Sequence, residues 1–343
     1  MMKIGVIGAG SWGTALAILL NENGNDVTLW SHREEQAEKL RAERFTDKLP
    51  GVKLPERIAV TSDLAKAAEG RDVLVLVVPS SCMRETARKL APFTAPGTIL
   101  VSASKGIEER TLATMTDILE QEVPQAETAA LSGPSHAEEV AKGLPTTCVI
   151  GAKCEKTARR LQKLFMSPVF RVYISPDLLG IELGGALKNV ISLAAGIADG
   201  MGYGDNAKAA LITRGVAEIA RLGIKMGGRL ETFSGLTGIG DLIVTCASMH
   251  SRNRRAGILL GKGYSMEEAM REVNMVVEGI YSAKSALALA RKYETELPII
   301  EQVNRILFEG LEPKLAVSEL MLRDPRQENS LLPWPEDPEK TVK

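Results

Sequence analysis

The 343-residue chain has little of what metal and disulfide sites are made from. Its four cysteines, Cys82, Cys148, Cys154 and Cys246, show no C-x-x-C spacing, and its three histidines, His32, His136 and His250, are scattered. That set makes no plausible zinc site, and no metal is expected. Reduced thiols in a cytoplasmic enzyme are the default reading. Charge of one sign is missing too. Lys and Arg number 42 against 43 Asp and Glu, a net charge of −1, which gives no support for a nucleic-acid or anionic-membrane partner. No uninterrupted apolar run approaches the roughly 20 residues that span a bilayer, so no membrane insertion is expected. Met1-Met2-Lys3 and the apolar residues to Leu20 have the outline of a secretory leader. Glycines, a serine and a tryptophan interrupt it, and polar Asn21-Glu22-Asn23 follows where a small-residue cleavage site belongs, so that reading is rejected.

What is present is ordinary globular material, 45% hydrophobic and 25% charged, in a length that suits two domains. The chain is organised around its first stretch. Lys3 to Gly8 reads as a buried strand, Gly8-Ala9-Gly10-Ser11-Trp12-Gly13 is a G-x-G-x-x-G, and Thr14 to Leu20 opens a helix. Strand, glycine turn and helix together point to dinucleotide binding. Gly8 allows the tight turn, Gly10 leaves room for a pyrophosphate, and Gly13 lets the helix pack on the strand. The helix start offers free N–H groups and the positive end of its dipole.

Asp26 to Trp30 reads as the second strand. At its end an NAD-selective site usually carries an acid for the adenosine ribose. Here the residues are Ser31-His32-Arg33. Arg33 can pair with a 2′-phosphate, which leans toward NADP, while Glu34 and Glu35 follow and can still reach a ribose. Further strands are predicted at 57–60, 72–78, 98–102, 129–132, 146–150 and 169–174, with a capped helix from Ser62-Asp63 and another to about Ala91. Alternating strands and helices predict a doubly wound α/β sheet. Ligands bind outside the carboxyl ends of such strands. The Gly8–Gly13 loop, Pro79-Ser80, Lys105-Gly106 and Gly133 to Ser135 all fall at those ends and are expected to line one crevice.

After about residue 175 the strand pattern stops. A long helical segment runs from Asp177 to about Asp199, and further helices fit 206–222, 242–248, 254–261, 265–273, 280–292 and 298–309. Gly184 and Gly185 lie inside the long helix, at a cost of roughly 1 kcal/mol each against alanine, which a sequence accepts when something must come close. Lys188 sits among apolar neighbours of the same helix. It reads either as a lysine snorkelling to water or as a desolvated lysine with a depressed pKa. His250 to Arg255 reads either as a solvated basic patch or as a phosphate site at a helix start. The segment from about Asp324 is proline- and charge-rich and is expected to be a mobile tail.

Several blocks then occur in a fixed order: Gly8 to Ala15, Ser104-Lys105-Gly106, Leu131 to Ser135, Glu182 to Asn189, Gly238-Ile239-Gly240-Asp241-Leu242 and Ser251-Arg252-Asn253. Over about residues 3 to 320 the chain resembles the bacterial-type NAD(P)-dependent sn-glycerol-3-phosphate dehydrogenases. The resemblance implies a Rossmann-type domain over residues 1–180, an all-helical substrate and dimerisation domain over 181–324, and a tail over 325–343. It implies reversible reduction of dihydroxyacetone phosphate to sn-glycerol 3-phosphate with NADPH or NADH, feeding glycerophospholipid synthesis in the cytoplasm. Lys188 is then proton donor and acceptor, helped by Lys105 and Asp241. Lys105, Gly133, Ser135, Lys188, Asp241, Ser251, Arg252 and Asn253 meet the substrate. Ser11, Trp12, Arg33, Lys105, Ala137, Arg252, Val276 and Glu278 meet the cofactor, beside the loop glycines Gly8, Gly10 and Gly13 and beside His32. Relatives carry Thr or Ser at position 135, so Ser135 changes little.

Two other readings stay open on residue types alone. One is a β-hydroxy-acid dehydrogenase of similar two-domain build, and the other is a non-catalytic dinucleotide sensor. A lysine in an apolar helix counts against the sensor. Long apolar helix faces in the second half make a homodimer the expected assembly.

Overall fold

The computed structural model describes residues 1–328. Eight strands form one sheet: β1 (Lys3–Ile7), β2 (Asp26–Trp30), β3 (Ala59–Thr61), β4 (Val73–Leu76), β5 (Ile99–Ser102), β6 (Glu127–Ser132), β7 (Thr146–Ala152) and β8 (Phe170–Ser175). Their order is β3-β2-β1-β4-β5-β6-β7-β8. Helices α1 (Ser11–Glu22), α2 (Glu34–Glu43), α3 (Leu64–Ala68), α4 (Met83–Leu90), α5 (Met115–Glu122), α6 (Ala137–Val140) and α7 (Glu155–Phe165) connect them. The doubly wound expectation is met. Successive residues of the central strands go to opposite faces, as the pleat requires. Val73, Val75, Ile99 and Val101 join the core under α1, whereas Leu74, Leu76 and Leu100 join the core with Met83, Leu90 and Ile118.

One pair departs from the parallel pattern. β6 and β7 are antiparallel, because the link between them holds only the four-residue α6 rather than a full crossover helix. β8 then pairs parallel to β7 through α7. The carboxyl ends of β1, β4, β5 and β6 therefore share one edge. The sequence reading named no helix at 34–43. The reason is physical: α2 buries only Ala37 and Leu40, so its apolar period is faint.

Among the described residues no strand follows Ser175. The second half is helical: α8 (Leu178–Gly200), α9 (Asp205–Lys225), α10 (Leu230–Phe233), a π turn (Leu236–Gly240), α11 (Asp241–Ala247), α12 (Arg252–Gly261), α13 (Met266–Val273), α14 (Glu278–Lys292), α15 (Pro298–Phe308) and α16 (Pro313–Met321). Asp177 caps α8, taking the Gly180 N–H at 2.9 Å, and also holds the start of α10 through the Arg229 N–H and the Thr232 hydroxyl. From Ile181 to Ala198 every residue of α8 is buried, so this helix is the axis of the second half.

By length and composition alone α8 is apolar enough to cross a bilayer, although no uninterrupted apolar run in it approaches that length. Lys188 and Asn189 break the run without lowering the average enough. In the fold the helix is sheathed by protein. The expected mobile tail lies, from residue 329 on, outside the described residues.

Candidate active site

The two glycines inside α8 each answer to a neighbour. A Cβ on Gly184 would stand 2.6 Å from the Thr237 carbonyl oxygen in the π turn. One on Gly185 would stand 2.9 Å from the Ser132 hydroxyl and 3.4 Å from the Lys105 stem. Without those side chains α8 settles between the end of β6 and the turn that delivers Asp241. Lys188 follows one turn on and is 5% exposed. Its Nζ donates to Asp241 Oδ1 at 2.5 Å and to the Thr245 hydroxyl at 2.6 Å. The other oxygen of Asp241 accepts from Lys105 Nζ at 2.7 Å, and Lys105 also donates to the Gly133 carbonyl at 2.9 Å. Two ammonium groups thus share one carboxylate, which is 1% exposed.

Burial pushes the Lys188 pKa down to about 8, with Lys105 adding to the fall and Asp241 opposing it. Burial acts on Asp241 the other way, but the two lysines outweigh it and hold the carboxyl below its ordinary range. The lysine is therefore charged at neutral pH yet close to the point of releasing its proton. Of the two readings of Lys188, the buried one is the structure's.

The phosphate-like site is built by helix contact. α12 lies against α8 backbone to backbone, with Gly196 and Gly200 facing Gly257 and Gly261. A Cβ on Gly196 would run into the Arg254 carbonyl oxygen, and one on Gly261 into that of Ile197. The approach brings the Ser192 and Ser251 hydroxyls to 3.2 Å. Ser251 caps α12 by accepting the Arg254 N–H at 3.1 Å. The N–H groups of Arg252 and Asn253 open the helix, where no intrahelical partner exists. The Arg252 guanidinium is half-buried and has no hydrogen bond or ion pair among the described residues. Burial lowers its pKa, while Glu278 and Glu138 oppose the fall.

The Asn253 amide is already used at both ends. It donates to Asn189 Oδ1 and accepts the Gly279 N–H, each at 2.9 Å. What Asn253 can offer an anion is therefore its main chain. Ser135 donates to the Gly133 carbonyl at 2.9 Å, and Gly133 sits at φ +132°, a turn that favours glycine.

At β1 the glycine loop has the geometry a pyrophosphate needs. Gly8 is at φ +126°, and a Cβ there would stand 2.6 Å from the Val77 carbonyl oxygen. A Cβ on Gly13 would run into the Gly8 carbonyl oxygen, so α1 packs on the turn only through glycine. Around Gly10 the corresponding space is open for 4 Å, and Ser11 and Trp12 form the half-buried first turn of α1. These residues fit a dinucleotide. Ala137, the buried first residue of α6, joins the same core as α1. Glu278 starts α14 and accepts from Ser80, at 3.1 Å from its N–H and 2.5 Å from its hydroxyl. Both carboxylate oxygens are thereby engaged across the crevice, and Val276 lies half-buried just ahead of them. His32 and Arg33 are exposed at the end of β2.

Two family models divide the chain between them. The N-terminal model of NAD-dependent glycerol-3-phosphate dehydrogenase matches residues 3–158, and the C-terminal model matches residues 177–318. The chain belongs to this family. The protein named glycerol-3-phosphate dehydrogenase (NAD(P)+) in Agathobacter rectalis is 61% identical over 97% of this chain and 100% of its own length. Its counterpart in Fusobacterium nucleatum is 59% identical over 96% and 99%. A crystal structure of glycerol-3-phosphate dehydrogenase from Coxiella burnetii superimposes with a TM-score of 0.91 at 39% identity, covering 94% of this chain and 99% of that one. As a member of this glycerol-3-phosphate dehydrogenase family the chain is an oxidoreductase that uses NAD or NADP.

Sequence reasoning missed several groups of this dehydrogenase site. Thr245 stands four residues after Asp241 on α11, a spacing that puts both on one face and was open to discovery. Gln36 donates to the Ala9 carbonyl at 2.7 Å and so braces the glycine loop, which no motif announces. Lys48 is half-buried, and burial, Arg33 and Arg252 together lower its pKa. His136 packs its ring 5.8 Å from that of His250, and burial followed by the charge of Lys188 favours its neutral form.

Proposed function

We propose that the chain reversibly reduces dihydroxyacetone phosphate to sn-glycerol 3-phosphate with NADPH or NADH, supplying glycerophospholipid synthesis. The observation that carries this reading is the pair of lysines on one buried carboxylate beside an anion-ready helix start. The bound nicotinamide supplies the hydride. The remaining work falls to the chain's own residues. Reduction of a ketone develops negative charge on its oxygen. Lys188, protonated below about pH 8, gives that oxygen a proton, and Lys105 as a second cation eases the charge. Asp241 and Thr245 hold the Lys188 ammonium in place. In the oxidative direction the neutral amine takes the proton back.

The substrate phosphate binds at Ser251, Arg252 and Asn253, with Gly133 and Ser135 closing the opposite side. A guanidinium and helix N–H donors suit a dianion. Gly8, Gly10, Ser11, Trp12 and Gly13 hold the pyrophosphate end of the cofactor. His32 and Arg33 meet its adenosine end, where Arg33 leans toward NADPH. Lys105, Ala137, Arg252, Val276 and Glu278 would meet the rest of the cofactor. The division of labour follows the chain. Residues 1–180 bind the dinucleotide, and residues 181–324 bind the substrate and pair two copies as a homodimer. The strands end at Ser175 and Asp177 caps α8, which supports a boundary there. Both the cofactor and the sugar phosphate are intracellular pools, which supports a cytoplasmic enzyme.

The test is initial-rate assay of dihydroxyacetone phosphate against β-keto acids with each cofactor, on wild type and Lys188→Ala. Loss of a general acid typically costs ~10²–10⁴ in rate, with NADPH binding retained. A preference for the acids, binding without turnover, or near-normal turnover in Lys188→Ala would each overturn the reading.

A further inference from the structure

One buried carboxylate on α8 has no part in the chemistry above. Glu182 lies six residues before Lys188, about 9 Å along the helix axis at 1.5 Å per residue. It is 8% exposed. Among the described residues it pairs with no cation. Its oxygens take the Thr116 N–H at 2.9 Å and the Thr116 hydroxyl, at the start of α5. That helix start has its own capping box, in which Thr114 takes the Asp117 N–H and Asp117 takes the Thr114 N–H. Glu182 supplies the cap that the box leaves out, from another part of the fold.

The place it holds is specific. The segment leading into α5 is the one that carries Lys105. It leaves β5, passes Lys105-Gly106-Ile107, and closes on itself through a bridge between Ile107 and Thr114. α8 meets this segment along one stripe of its surface. Glu182, Gly185 and Asn189 are spaced i, i+3 and i+7, so they share a face. Glu182 holds Thr116, Gly185 gives room to the Lys105 stem, and Asn189 Nδ2 reaches the Lys105 carbonyl at 3.4 Å. Lys105 and Lys188 thus arrive at Asp241 from two bodies joined by this seam.

We propose that Glu182 is a positioning residue for the reaction: by anchoring α8 to the Lys105 segment, it fixes where the Lys188 ammonium stands relative to Lys105 and Asp241. The inference rests on Lys188 being the proton donor. The groups that face Lys188 are Asp241, Thr245 and Cys246 on α11, Lys105 after β5, and His136 after β6. Slippage of α8 changes its distances to all of them. The Lys188 pKa moves with the slippage, as does the rate, since misplacement of about 1 Å can cost ~10² in turnover.

The experiment compares Glu182→Ala, Glu182→Gln and Thr116→Val in the full-length protein. Rates of dihydroxyacetone phosphate reduction are followed across pH, with KM for NADPH, thermal melting and Lys188→Ala as the control. Glutamine can still accept the Thr116 N–H and donate to its hydroxyl, so it is expected to restore kcat and the wild-type profile. Glu182→Ala is expected to lower kcat ~10-fold or more and to displace the basic limb, with KM for NADPH within about twofold because the glycine loop is untouched. Thr116→Val, which removes one of the two bonds from the other partner, is expected to act in the same direction more weakly. It keeps the test open if Glu182→Ala does not fold. A folded Glu182→Ala with wild-type kcat and profile overturns the proposal. So does a Glu182→Gln as impaired as the alanine, or a Thr116→Val that only lowers the melting temperature. If Lys188→Ala stays active, the proton-donor reading fails instead.

Discussion

Asp241→Asn removes the one charge that the buried Lys188 and half-buried Lys105 ammonium groups share. Its oxygens lie 2.5 Å from Lys188 Nζ and 2.7 Å from Lys105 Nζ. At an effective dielectric of about 20, opposite charges centred ~4 Å apart attract by about 4 kcal/mol. One pKa unit corresponds to about 1.4 kcal/mol, so full loss of this attraction would lower the Lys188 pKa by about three units. Relaxation and entering water reduce that, and a fall of roughly two to three units from about 8 is expected. The sign is fixed by the chemistry. Reduction needs the ammonium form, which is complete below the lysine pKa and falls tenfold per pH unit above it. In Asp241→Asn at pH 7 only ~1–10% of Lys188 would carry its proton, so ketone reduction is expected to drop ~10–100-fold. Oxidation of glycerol 3-phosphate needs the neutral amine and is expected to suffer less. The assay is paired initial rates in both directions from about pH 5 to 9, read by NADPH absorbance. Stranding buried charges costs about 3–5 kcal/mol, so thermal melting must first show that the variant is folded at the assay temperature. A reduction limb at the wild-type pH in a folded Asp241→Asn would refute the claim that this carboxylate sets the charge of Lys188.

Arg252→Ala is expected to raise KM for the phosphorylated substrate by one to two decades, from a charge-assisted bond contributing roughly 1.5–3 kcal/mol, and far more than KM for an unphosphorylated ketone. Equal damage to both would show that Arg252 does not read the phosphate. Arg33→Asp exchanges attraction for repulsion at the end of β2 and is expected to weaken NADPH at least tenfold, about 1.4 kcal/mol, with NADH use held or improved. The ratio of kcat/KM for the two cofactors, at fixed ionic strength, decides it. Gly196→Ala drives a methyl group into the Arg254 carbonyl oxygen, a backbone atom that cannot rotate away. Overpacking of this kind costs roughly 1–3 kcal/mol in thermal or denaturant unfolding, and because it displaces α12, KM for the phosphorylated substrate is expected to rise more than KM for NADPH.

The alternation of strands and helices was legible because β4 and β5 are apolar on both faces, as parallel strands between helices must be. The antiparallel β7 was not, since direction depends on whether the preceding link can cross the sheet, and the sequence reading assigned no crossover element between the strands at 129–132 and 146–150. Gly184 and Gly185 announced a close approach but not its object. That object, the turn at Thr237 and the stem of Lys105, comes from segments far away in sequence. Lys188 could be read as snorkelling or buried because its neighbours in sequence are apolar either way; only α11, bringing Asp241 to it, decides. Asn253 was legible as part of a triplet. That its amide is spent on Asn189 and Gly279 could not be read, since both partners belong to other helices.

The reacting groups sit on pieces that could each move separately. Lys105 hangs on a loop of the sheet, Lys188 on the central helix, Asp241 on a short helix after a π turn, and Arg252 on the start of another. Proton transfer and phosphate binding act on one small molecule, so these four must keep their distances to within a fraction of an ångström. Loops alone cannot do that, because a loop held only at its ends keeps low-energy motions. The fold instead removes side chains where elements meet. At Gly184, Gly196 and Gly257 main chains touch directly, and a main-chain contact has no rotamer through which to yield. Polar groups then lock the register that glycine permits, as Asn189 does with Asn253 and Asp241 does with both lysines. A larger residue at any of these glycines acts on the site without touching substrate, which is why variants far from the chemistry in sequence are expected to change KM and kcat.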